Sequence, residues 1–194
     1  MPNTYSLVLF AHVVAAFGLV GHSMGAPLIH RNIRTAPTAS ALSLWVGFAR
    51  DASKWNPLVA IALLASGIYL GSLGWWTQEW FYVAVGGWVV NCALAVGVLQ
   101  RTGMAIAKAA ATSIDGRVPA EAERLRQSKG WAIAHAVMMG NDLALLYMMF
   151  NKPELGTSLA IVAIANALTV GVTLARHGSA APATTAARSR EAVV

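Results

Sequence analysis

The sequence predicts an all-α fold: a polytopic membrane helix bundle of five transmembrane helices, N-terminus outside and C-terminus cytoplasmic. Three observations carry that prediction. Apolar residues make up 57 % of the 194, or about 66 % with the 17 glycines, against roughly 45–50 % in soluble domains counted alike. Charged residues are 11 %, where soluble chains carry about 25 %. The basic residues also fall almost entirely on one side of the apolar stretches. A chain of this size cannot cover a water-facing surface with so few charges. An ordinary soluble globule, intrinsic disorder, a disulfide scaffold and a coiled coil are excluded. The single cysteine, Cys92, has no partner for an internal disulfide.

A helix needs about 20 largely apolar residues to cross about 30 Å of hydrocarbon. Five stretches meet or approach this, at about 6–29, 57–73, 80–99, 131–150 and 157–175. The first holds no Asp, Glu, Lys or Arg. It lacks a basic leader and exceeds a signal peptide's apolar run, so it reads as a retained span. Between the first two spans, Leu42, Trp45, Val46 and Ala49 recur at helical spacing ahead of Arg50, Asp51 and Lys54. That pattern predicts a short amphipathic helix on the inner interface. Asn56 and Pro57 suit the cap and first turn of the second span.

Trp75, Trp76 and Trp80 mark an outer boundary before the third span. An Ala-rich stretch to about Ser113 extends the third helix beyond the membrane, and Asp115-Gly116 breaks it. Pro119, Glu121 and Glu123 then open a polar helix toward Lys129, with its acids in the first turn. The fourth span carries one acid, Asp142. Residues 1–177 read as the bundle. Residues 178–194, rich in Ala, Thr, Ser and Arg, read as a disordered cytoplasmic tail.

The loops orient the bundle. Arg31, Arg34, Arg50, Lys54, Arg101, Lys108, Arg117, Arg124, Arg126, Lys129, Arg176, Arg188 and Arg190 fall on one side, and Lys152 alone on the other. The positive-inside rule makes the richer side cytoplasmic. Topology and anionic head groups then account for the net charge of +6, without nucleic acid as a partner. The expected partners are the lipid bilayer and other membrane subunits or a second copy. Gly21 with Gly25, and Gly67 with Gly71, have the spacing of close helix contacts.

Polar groups in a bilayer are costly and need a partner or a purpose. The candidates are His12, His22, Asn91, His135, Asn141, Asp142 and Asn166. His135 and Asp142 lie about 20° apart on one helix face and about 10 Å apart along it, with Met138 and Met139 between. With midpoints taken near Phe17 and Gly140, His22 and His135 each lie about 8 Å to the cytoplasmic side. Two depth-matched histidines on different helices are what axial ligation of a b-type haem needs. His12 and Asp142 fall toward the outside, and with Met138 and Met139 they offer a copper, zinc or proton route. His30 and His177 adjoin arginines and read as interfacial.

The strings Leu9-Phe10-Ala11-His12-Val13-Val14-Ala15-Ala16, Gly74-Trp75-Trp76-Thr77-Gln78-Glu79-Trp80 and Leu146-Tyr147-Met148-Met149-Phe150-Asn151-Lys152-Pro153 resemble one family. It is the bacterial integral membrane proteins grouped under domain of unknown function 2269, and the likeness spans about Leu7 to Pro153. More distantly, the His-bearing first helix is similar to those of the copper-resistance D proteins and of the small four-helix protoporphyrinogen oxidase, which carries haem. The resemblance implies a bacterial inner-membrane location and adds weight to His12. The family itself has no settled activity.

Three functions are therefore expected. The first is a b-type haem-binding or redox bundle with His22, His135 and His12 at the cofactor. The alternatives are an accessory subunit of a larger membrane complex, or a small metal or proton transporter. No hydrolase, kinase or nucleotide-binding signature is present.

Overall fold

A computed structural model describes residues 3–178, and among these no β-strand occurs. Five helical segments are long and apolar enough to cross a membrane: Thr4–Thr35, Ala39–Ser72, Glu79–Ala110, Ala120–Asn151 and Leu155–His177. The chain is a multi-pass membrane helix bundle. Apart from Gly178, the expected tail lies outside the described residues.

Helix α1, Thr4–Thr35, starts where the Asn3 side chain accepts a hydrogen bond from the Ser6 amide at 2.8 Å. Its 32 residues reach about 48 Å, more than the hydrocarbon thickness. Helix α2, Ala39–Ser53, is capped by Thr38 and is the amphipathic helix expected from its spacing. It buries Leu42 and Val46 and leaves Leu44 and Phe48 exposed. Helix α3, Asn56–Ser72, is the second span. Asn56 is its first helical residue rather than its cap, and Trp55 holds the cap position without a side-chain bond.

The third span is α4, Glu79–Leu94, followed by a π-helical stretch at Ala95–Gln100 and by α5, Arg101–Ala110. The Ala-rich extension ends close to where composition placed it. The polar helix is α6, Ala120–Arg126. Helix α7, Lys129–Asn151, is capped by Ser128 and ends on Lys152 in the left-handed region (φ 47°), with Pro153 preventing continuation. Helix α8, Leu155–Gly178, returns across the bundle.

Helix α7 is the centre. It packs against α1, α4 and α8, while α3 lies on α1. Two apolar clusters close the ends. At the basic end, Leu42 and Val46 of α2 meet Ile33, Ile106, Ala122 and Trp131. At the opposite end, Trp80, Phe81 and Ala84 meet Met148, with Trp75, Leu145 and Val162 around them. Lys152 lies over the Trp75 ring at 4.0 Å.

Close packing uses two of the four glycines that the spacing suggested, and adds Gly140. A Cβ on Gly140 would fall 2.7 Å from Thr169 Oγ1, 2.8 Å from Asn166 Oδ1 and 3.0 Å from the Ala165 carbonyl oxygen. Gly140 is what lets α8 close on α7. Gly67 meets His12 and Gly71 meets Phe81, as helix contacts should. Gly21 and Gly25 meet nothing within 4 Å. The reason is rotational: each is two residues from Ser23, which faces α7, so both point away.

Candidate functional site

Near the middle of α7, Asp142 is 7 % exposed and Asn141 is 4 % exposed. One Asp142 carboxyl oxygen, Oδ1, accepts from Asn91 Nδ2 of α4 at 2.7 Å. The other, Oδ2, accepts from the Ser23 hydroxyl of α1 in a short bond. The Asn91 carbonyl oxygen accepts from Asn141 Nδ2 at 3.0 Å, and the Asn141 oxygen from Asn166 Nδ2 of α8 at 2.7 Å. Asn166 Nδ2 also donates to the Val162 carbonyl at 2.9 Å. Four helices thus meet in one buried hydrogen-bonded chain.

The chain has a direction. Asn166, Asn141 and Asn91 all donate toward Asp142, so amide hydrogens rather than oxygens point at the carboxyl side of the network. The far end, Asn166 Oδ1, is buried without a hydrogen-bond partner among the described residues. No Lys, Arg or His is hydrogen-bonded to Asp142 or paired with it in an ion pair among the described residues. Four of the site residues, Asn91, Asn141, Asp142 and Asn166, are legible in the sequence as polar groups inside spans. Ser23 was not singled out, because a serine in a small-residue run looks like a packing position. It lies seven residues before His30 and eleven after His12, which puts all three within about 20° of each neighbour on one face of α1.

That face sets the levels. Ser23 meets Asp142, and His30 stacks on His135 with ring centroids 5.2 Å apart and planes at 30°. Both pairs are separated by seven residues on each helix, so the antiparallel register is consistent. It differs from the expected one. His22 is level with Leu143, about 12 Å from the level of His135. His30, expected to be interfacial, lies inside the bundle beside Trp131, at 4.3 Å between ring centroids.

The other expected residues are dispersed. His12 Nδ1 is 3.0 Å from Ser66 Oγ on α3, a contact away from Asp142. Eleven residues, about 16 Å, separate His12 from Ser23, so the expected His12–Asp142 cluster does not assemble. Met138 and Met139 are half-buried on α7 between His135 and Asp142. Among the described residues no group of three or more His, Cys, Asp or Glu is placed to hold a metal ion.

A b-type haem needs two imidazoles aimed at one iron from opposite sides. His30 and His135 are stacked ring on ring, and His22 is offset from His135, so the histidine geometry gives the haem expectation no support. Comparisons with family models, curated proteins and solved structures find no match for this chain.

Proposed function

We propose that this membrane protein takes up and releases a proton at Asp142, the elementary step of a small proton-handling carrier. One observation carries the reading: a buried carboxyl in the middle of a membrane helix is met by neutral donors and, among the described residues, by no cation. Ionised acids at the centre of a span cost about 3 kcal/mol on insertion scales, and those retained mark ion or proton pathways. A proton removes that cost without any change in the fold.

The direction of the amide chain favours a proton over a metal cation. A hard cation wants oxygen ligands, whereas Oδ1 already faces the Asn91 amide hydrogens. The Ser23–Asp142 bond is different in kind. A hydroxyl can donate to a carboxylate or accept from a carboxylic acid, while an amide NH₂ only donates. Oδ2 is therefore the oxygen that gains and loses the proton, and Ser23 reverses its role as it does. Under the positive-inside rule, the basic end carrying α2, α5 and α6 faces the cytoplasm of a bacterial inner membrane.

Infrared difference spectra of the purified protein across pH test the reading. The wild type should show a protonated-carboxyl C=O band that Asp142→Asn lacks, and proteoliposomes should lose dye-detected proton uptake with the same substitution. A wild type with no such band, or an Asp142→Asn variant with full uptake, would overturn it in favour of a structural network.

A further inference from the structure

We infer that Asp142 exchanges its proton with the basic end of the bundle alone, through His135 and His30. The inference rests on the proton reading of Asp142 and adds the route. The two helix faces that carry Ser23 and Asp142 carry His30 and His135 one step nearer the basic end, about 10 Å along each helix. Met138 lies between His135 and Asp142 on the same side of α7, and it is flexible enough to let water in beside it. The two imidazoles are stacked, and Trp131 borders both. Among the described residues, His30 Nε2 is buried with no hydrogen-bond partner, and so is His177 Nε2 on α8. Charged and titratable groups reach this cluster from every side: Arg34 and His177 act on His30, His22 on His135, and Arg34 and Lys129 on His177.

The other direction offers nothing comparable. Beyond Asp142, α7 presents Leu145 and Met148 to Trp80 and Phe81. Tyr147 is exposed, and His12, about 16 Å along α1 from Ser23, is committed to Ser66 of α3. An apolar plug on one side and a file of imidazoles on the other make a one-sided connection.

The test follows hydrogen–deuterium exchange of the Asp142 carboxyl band in the full chain, after rapid mixing into heavy water. His30→Gln and His135→Gln should each slow exchange by at least about tenfold, the loss of a positioned proton carrier. Free imidazole in the buffer should restore the rate in His30→Gln, which a purely structural role would not permit. His12→Gln should exchange at the wild-type rate. Wild-type rates in the His30 and His135 variants, or equal slowing by His12→Gln, would overturn the route while leaving Asp142 as the proton site. A wild type without an exchangeable carboxyl band would instead remove the proton reading and the route with it. Either histidine variant alone decides the matter if the other fails to fold.

Discussion

Arg126 and Asp142 are equally buried, at 7 % exposure, yet the protein meets them in opposite ways. Arg126, at the end of α6, donates through Nε to Glu123 Oε2 at 2.8 Å, and through Nη1 to the carbonyls of Ile33 and Ala36 at 3.1 and 2.8 Å. Its permanent charge is matched by an acid and by carbonyls at the end of α1, those of Ile33 and of the cap Ala36, where the helix leaves carbonyls without amide partners. Gln127 adds to the same seam, accepting from Arg34 Nε at 3.0 Å. Asp142 has neither an opposite charge nor a helix end. A fixed charge is given a fixed counter-charge; a group surrounded by neutral donors is one whose charge can come and go.

The comparison is sharpest when each group is replaced by a neutral residue of similar size. Arg126→Met should give the largest effect. It leaves the Ile33 and Ala36 carbonyls without that donor and half-exposed Glu123 without its cation, at a cost of about 2–3 kcal/mol, mostly from the stranded carbonyls. The unfolding midpoint in detergent should fall accordingly. Arg126→Lys should recover little, because a point ammonium cannot reach a carboxylate and two carbonyls as the guanidinium fork does. A loss below about 1 kcal/mol would mean that the α1–α6 seam is ornamental, and the contrast with Asp142 would collapse.

A smaller effect is expected where the polar layer meets α8. Gly140→Ala puts a methyl group 3.0 Å from the Ala165 carbonyl and closer still to the side-chain oxygens of Thr169 and Asn166. The side chains can turn, but the backbone carbonyl cannot, so α8 must shift at a cost of about 2 kcal/mol. The Asn166–Asn141 bond should lengthen with it, and the thermal midpoint should drop. Gly25→Leu serves as the control, since nothing lies within 4 Å of the position, and it should fold as the parent does. If the two variants behave alike, the α7–α8 contact is looser than the geometry requires.

The spans, the amphipathic α2, the break at Asp115-Gly116 and the polar α6 were all legible, because hydrophobic period, caps and breakers act locally. Asn91, Asn141, Asp142 and Asn166 were legible as costly groups. Their convergence was not, because it depends on the register between antiparallel helices. Span midpoints taken as level give a register between α1 and α7 that pairs His22 with His135. The register that the Ser23–Asp142 and His30–His135 contacts define differs from that level by several residues, an offset set by how α1 and α7 pack and not by where either span is centred. That shift turned an expected His22–His135 pair into the observed His30–His135 stack. Ser23 and Gly140 escaped notice for a simpler reason. A serine or glycine in an apolar run gives no signal of what it faces until the opposing helix is in place.

The smallest expected effect on stability bears most directly on the comparison. In Asp142→Asn, the new carbonyl oxygen can accept from Asn91 Nδ2 as Oδ1 does, and the new amide can donate to Ser23 Oγ. Ser23 can then turn its own hydrogen to the Leu19 carbonyl one turn back on α1. Every polar group keeps a partner, so the change should cost less than about 1 kcal/mol. Asp142→Leu, by contrast, strands Asn91 and Ser23 and should cost about 2 kcal/mol. If Asp142 rests as a neutral acid, the amide is its close mimic, and proton uptake is lost from a protein that melts almost where the parent does. If Asp142→Asn instead costs as much as Arg126→Met, Asp142 is a fixed charge on which the fold depends, and the two buried clusters are alike after all.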